Sequence, residues 1–301
     1  PPRSTLFPYT TLFRSADPAN DSARLSVFVS IPPQETFVAR IGGDRVAVAS
    51  LVAPGQDAHA FEPTPAQAAR FSSSSLFFGI GFPFEDRIVE KLAGSNPALV
   101  FVDTSSSVPK RVMEEGHGHE ANVHAAAGQE GEQEGGGDQH EGFDPHVWLS
   151  PDLVKIQGLA IRDALIAADP GGEEIYRKNY AAFASDLDSL DAEIAAILSG
   201  VRGETVYVYH PVLGYFTDRY GLFQEAIEIE GKEPTARELA AFMERIREEH
   251  AGMIFVQKEF STRSAEAVAA ETGAVVKTID PLSGDYFGTM RRIAHDIKGD
   301  R

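Results

Sequence analysis

The run EEIYRKNYAAFASDLDSLDAEIAAIL, Glu173 to Leu198, decides how the rest of the chain is divided. Tyr176, Tyr180, Phe183, Leu187, Leu190, Ile194 and Ile197 recur at spacings of four and three. That spacing predicts one unbroken helix with a single apolar stripe. At 1.5 Å per residue the helix is about 39 Å long. This is the span of two lobes, so the stripe reads as a strut joining them; a surface helix on one lobe would carry the same stripe. The length of 301 residues suits two modest domains.

A similar alternation of elements runs on each side of the strut. Before it, Leu25–Ile31, Arg45–Val52, Leu76–Ile80 and Ala98–Asp103 read as strands. Helical patterns lie between them at Pro33–Ile41, from Thr64-Pro65 onward, and at Glu85–Leu92. A helix to Ala168 follows, with Ser150 as N-cap and Pro151 in its first turn. After the strut, Thr205–Tyr209, Phe223–Ile229, Gly252–Val256 and Ala274–Ile279 read as strands. Helices are predicted from Thr235 to about Glu249, over Thr262–Thr272 and over Asp285–Lys298. Short apolar runs separated by helical patterns indicate parallel sheets covered on both faces. The predicted fold is therefore α/β: two Rossmann-like lobes, each with a roughly four-stranded, mostly parallel sheet. The expected boundaries are 24–171, a linking helix over 172–199, and 203–301.

Composition narrows the partners. The net charge of −18 disfavours nucleic acid and anionic membranes and fits a binder of cations. There is no Cys, hence no disulfide and no thiolate metal site. No apolar run reaches the roughly 18 residues that span a bilayer. Pro1 to Ser15 joins no later pattern, and Thr10-Thr11-Leu12-Phe13-Arg14-Ser15 reads like a translated sequencing adapter. The segment 1–15 is expected to be non-native and to have displaced a signal peptide.

Arg111 to Gly142 breaks the rhythm. It carries His117, His119, His124 and His140 among eight carboxylates and many Gly, with almost nothing apolar. Such a segment cannot bury enough surface to order itself, which predicts a mobile His-rich acidic loop over 112–142. Its histidines are expected to be weak auxiliary metal contacts, or else incidental to a solvated linker.

Four side chains with metal-ligand chemistry fall at or beyond strand ends. His59 follows the second strand, His146 follows the insert, His210 ends the first strand after the strut, and Asp280 ends the last. In open α/β sheets ligands collect outside the carboxyl ends of the strands. Two lobes facing each other would bring all four into one cleft, and three imidazoles with one carboxylate suit tetrahedral Zn²⁺. Each also has a plainer reading: His59 as a turn residue, His146 as a loop histidine packed on Trp148, His210 as a packed strand end, Asp280 as a helix cap.

The segments around these residues resemble a known family. Gly55-Gln56-Asp57-Ala58-His59-Ala60-Phe61-Glu62-Pro63-Thr64-Pro65, Asp144-Pro145-His146-Val147-Trp148-Leu149-Ser150-Pro151, Tyr209-His210-Pro211-Val212-Leu213-Gly214-Tyr215-Phe216 and Ile279-Asp280-Pro281-Leu282 occur in that order. They are similar to the signatures of the zinc/manganese solute-binding proteins of ABC importers, and the likeness runs from Arg24 to the C-terminus. The resemblance implies two lobes joined by a rigid helix, with the metal between them. It implies His59, His146, His210 and Asp280 as ligands, and a membrane permease as partner for an extracytoplasmic, monomeric carrier that is not an enzyme. His210, where some manganese-selective relatives carry Glu, shifts the expectation from hard Mn²⁺ toward Zn²⁺. Pro211 stands where many relatives have Asp, which removes a possible supporting carboxylate.

Three functions compete. The first is a carrier that captures Zn²⁺, or Mn²⁺, for a permease. The second is a zinc hydrolase, which would keep three protein ligands and an open position for water. No HExxH, Ser/His/Asp order or Walker loop favours it. The third is an adhesin or metal buffer on the same fold.

Overall fold

The computed structural model describes residues 24–93, 96–113, 142–228, 234–260 and 262–299. The first half runs β1 (Leu25–Val29), α1 (Pro32–Gly42), β2 (Val46–Ser50), α2 (Pro65–Phe71), β3 (Leu76–Gly79), α3 (Pro83–Ala93) and β4 (Val100–Asp103). Helices α4 (Pro151–Ala168) and α5 (Glu173–Leu198) follow. The second half runs β5 (Thr205–Val208), α6 (Gly214–Tyr220), β6 (Phe223–Ala226), α7 (Ala236–Glu248), β7 (Met253–Gln257), α8 (Arg263–Thr272), β8 (Val275–Ile279) and α9 (Tyr286–Lys298).

Each half forms a four-stranded sheet, ordered β2-β1-β3-β4 and β6-β5-β7-β8. The pairings are parallel in both, so the second lobe repeats the topology of the first. The third strand of each lobe crosses to the far side of the first. The crevice this opens beyond the carboxyl ends of the strands is where α/β sheets bind ligands.

Local chemistry explains the helix starts. Thr64 and Thr235 each close a capping box, their hydroxyls accepting from the N–H of Gln67 and Glu238. Ser150 occupies the N-cap of α4, but its hydroxyl donates to Asp152 and makes no cap bond, contrary to expectation. Most of the expected strands are one to three residues too long because their ends pass into turns and helix starts; Pro32 begins α1 three residues beyond Val29. Helix α6 is an addition to the sequence reading. Gly214, Tyr215, Phe216, Thr217 and Tyr220 are buried, so this helix shows too little polar face for a helical period to stand out.

Helix α5 matches its expected limits and buries Tyr176, Phe183, Leu187, Leu190, Ile194 and Leu198. It packs on α1 and α4 of the first half and on α6 and α9 of the second. One continuous core therefore runs from Val27 and Phe77 across α5 to Val208, Phe255 and Met290. A smaller cluster, including Tyr207, Ile254, Phe242 and Val268, covers the other face of the second sheet with α7 and α8. The last helix folds back: the Tyr286 ring lies 4.9 Å from that of Phe37, and the Thr36 hydroxyl donates to Gly284 O at 2.6 Å. Among the described residues no helix is long and apolar enough to cross a membrane.

Candidate metal centre

Three loops deliver the histidines. The one bearing His59 leaves β2, with Leu51 and Val52 donating to Val29 O and Ser30 O. Its far end is tied where Gln67 donates to Leu51 O at 2.6 Å, and Asp57 Oδ1 accepts from the His59 N–H at 2.8 Å. His146 precedes the single turn Val147–Leu149 that leads into α4. Asp144 Oδ1 accepts from both the N–H of His146 (2.9 Å) and its Nδ1–H (2.7 Å). Trp148, 5.3 Å from the His146 ring, reaches across to the other lobe by donating Nε1–H to Pro281 O at 3.0 Å. His210 lies beyond β5; Gln257 donates to its carbonyl at 2.9 Å, and Phe260 stacks on its ring at 5.1 Å.

The candidate ligand atoms of His59, His146 and His210 all lie within 4.8 Å of one another. His59 Nε2 and His146 Nε2 are 3.3 Å apart. A tetrahedral shell with metal–nitrogen bonds of about 2.0–2.1 Å has edges of about 3.3–3.4 Å, so this pair already stands at metal-bridged spacing. His210 donates Nδ1–H to Glu228 Oε2 at 2.9 Å, which leaves Nε2 as the free lone pair. That Nε2 is buried without a hydrogen-bond partner, a costly state unless a ligand takes the lone pair. Phe82, Trp148, Val212, Phe260 and Leu282 form the apolar wall of the pocket.

Carboxylates stand behind two of the rings, fixing tautomer and orientation. Sequence reading missed both roles. Glu228 is only 3% exposed and supplies the supporting carboxylate that Pro211 cannot. Its signal was weak: an acidic residue between Ile227 and Ile229 at the end of the expected strand, with Glu225 and Glu230 close by. Asp144 also receives Arg111 Nη1 at 3.2 Å, and Arg111 Nε reaches Asp218 of α6 at 3.1 Å. Gly214 makes this passage possible, because a Cβ there would lie 1.5 Å from Arg111 Nη1. Burial pushes the Asp144 carboxyl up, but His146 and Arg111 outweigh it and hold the group below its ordinary value.

Burial lowers the pKa of His146, with Asp144 offsetting only part. Burial, then the neighbouring His146 and His210, holds His59 well below the ordinary 6.5. At these two rings the unfolded chain binds more protons than the fold below about 6.5, so their contribution to metal-free stability is lost as pH drops through that value, partly offset by Glu85, whose carboxyl burial pushes up to about 7. The expected result is a urea midpoint of the metal-free protein that decreases from pH 7.5 to 5, with Zn²⁺ affinity decreasing alongside it as the imidazoles protonate. A Zn²⁺ affinity that is flat over that range would contradict a three-imidazole site.

The other expected ligands are placed differently. Asp280 follows β8, but its Oδ2 lies 3.6 Å from Lys258 Nζ, and it is not a member of the three-histidine cluster. His117, His119, His124 and His140 lie outside the described residues.

Comparison with known proteins matches this architecture. Residues 27–299 match the family described as zinc-uptake complex component A, periplasmic (ZnuA). The crystal structure of ZnuA superposes with a TM-score of 0.80 at 35% identity, covering 91% of this chain and 98% of that one. The zinc-binding protein AdcA of Streptococcus pyogenes serotype M3 is 26% identical over 298 residues, which are 92% of this chain and 57% of that protein. The periplasmic zinc-binding protein TroA of Treponema pallidum shares the fold, with a TM-score of 0.75 at 19% identity over 91% of this chain and 98% of that one.

Proposed function

Because this chain belongs to the family of zinc-uptake complex component A, we propose that it captures Zn²⁺ outside the cytoplasm and delivers it to the permease of an ABC importer. Members of that family are substrate-binding proteins of ABC transporters, not enzymes, so the hydrolase reading is withdrawn. The observation that carries the reading is the three-imidazole cluster, with one nitrogen–nitrogen separation of 3.3 Å and a buried, unpartnered His210 Nε2. Three nitrogen donors favour Zn²⁺ over the harder Mn²⁺. Asp280 is proposed as a carboxylate ligand that exchanges Lys258 for the cation.

The four insert histidines are proposed as weaker, auxiliary contacts. The flanks of the insert are already joined: Val112 pairs antiparallel with Phe143, and the Met113 N–H donates to Gly142 O at 3.0 Å. Removing 114–141 thus links ends that already meet. A deletion mutant of ZnuA has been crystallised with zinc bound, which supports the idea that such proteins retain their site after losing a segment. The test is calorimetric titration of chelator-stripped protein, intact and deleted, with Zn²⁺ and with Mn²⁺. The expected result is one tight Zn²⁺ site in both proteins, weaker Mn²⁺ binding, and extra weak Zn²⁺ events only in the intact chain. Loss of tight binding on deletion would mean that the insert supplies a primary ligand. Equal stoichiometry in both would make its histidines incidental.

A further inference from the structure

We propose that Glu259 is a carboxylate ligand of the bound cation: like Asp280 it stands outside the three-histidine cluster, and it turns in from the pocket wall when the cation enters. This rests on the metal-binding reading above and adds a ligand to it. Glu259 lines the same pocket as His59, His146 and His210, and its Oε1 is buried with no hydrogen-bond partner. A buried carboxylate oxygen and a buried imidazole nitrogen, both unpaired in one pocket, are complementary to a cation that neither could hold alone.

The surrounding turn fixes the backbone from which the side chain extends. The Phe260 N–H donates to Gln257 O at 3.1 Å, and the Lys258 N–H donates to Ile279 O at 3.0 Å, which ties the turn to the end of β8. On one side of Glu259, Gln257 holds the His210 carbonyl; on the other, Phe260 stacks on the His210 ring. Glu259 is therefore carried by a segment anchored at both flanks to a metal-binding histidine.

Charge gives the second reason. Neutral imidazoles bring no charge to a divalent ion. Asp144 is paired with Arg111, and Asp280 with Lys258. Glu228, buried behind His210, accepts that ring's Nδ1–H, and the half-buried Glu259 stands on the wall with Asp280, Asp57 and Lys258 as charged neighbours. With Asp280 once it exchanges Lys258, these carboxylates bring negative charge to a site that must take up a doubly positive ion, which offsets the cost of burying it.

The test compares Glu259→Gln, which keeps shape and removes the charge, with the intact chain and with His146→Ala. Zn²⁺ and Co²⁺ are titrated into each, and the visible d–d bands of bound Co²⁺ report the donor set. The metal-free thermal transition checks the fold. The expected result for Glu259→Gln is an unchanged metal-free transition, at least tenfold weaker Zn²⁺ and Co²⁺ binding, and Co²⁺ bands of altered position or intensity. Glu259→Asp should recover part of the affinity. Weaker binding with unaltered Co²⁺ bands would assign Glu259 a distant electrostatic role and overturn it as a ligand. Unchanged affinity and bands in Glu259→Gln, with both lost in His146→Ala, would overturn the proposal while leaving the three-histidine centre standing. Unchanged binding in His146→Ala would instead remove the metal centre itself.

Discussion

Replacing His146 by Ala is expected to weaken Zn²⁺ binding at least a hundredfold, about 2.8 kcal/mol at 1.4 kcal/mol per tenfold. The ring is 2% exposed and engaged at every edge: Nδ1 on Asp144, the face beside Trp148, Nε2 3.3 Å from His59 Nε2. No water entering the vacated space could reproduce an imidazole held at that spacing by a fixed carboxylate. Losing a supporting carboxylate alone typically costs ten- to a hundredfold in such sites, so losing the ligand should cost no less. A competition titration against a chelator of known affinity, with the metal-free fold checked by circular dichroism, measures the effect. A loss smaller than tenfold would show that His146 is not a ligand.

Replacing Phe183 by Ala is expected to destabilise the whole chain by about 3–5 kcal/mol, the range for removing a fully buried phenylalanine. Phe183 is wholly buried at the middle of α5. Its ring lies 5.7 Å from that of Phe37 on α1 and 6.2 Å from that of Phe287 on α9, so the cavity opens where both lobes meet the strut. The loss should fall on both lobes together, because one core runs through them. Trp148 is the only tryptophan, and its indole bridges to Pro281, so its fluorescence reports the junction while far-ultraviolet circular dichroism reports the entire chain. In urea the two signals should move together in the variant, shifted to lower denaturant. Separate transitions would show that the lobes unfold independently and that α5 is a tether rather than a shared core element.

These two residues show where the sequence was legible. Phe183 could be read directly, because a helical stripe is a local, periodic signal, and Glu173 to Leu198 formed the helix that its spacing predicted. The strands and the caps at Thr64 and Thr235 were equally local, since a capping box needs only residues three apart. His59, His146 and His210 stood out as imidazoles at or beyond strand ends, and the parallel topology brings those ends together. Their order along the chain, with the motifs around them, also gave the family.

What supports the histidines was decided elsewhere. Glu228 meets His210 from 18 residues away across neighbouring strands, and Arg111 reaches Asp144 across 33. Neither pairing has a period or a spacing rule, because each depends on how sheet, loop and helix are packed. Ser150 had the right residue type for a cap, yet Asp152 took its hydroxyl. Asp280 ended the expected strand, but Lys258 on the adjacent segment holds its carboxylate. The local elements and the three imidazoles were thus set by residue type and periodicity, whereas the carboxylates that orient, neutralise or compete with them were chosen by tertiary packing. A buried charge takes the partner that the fold brings within reach, and sequence distance does not record that reach.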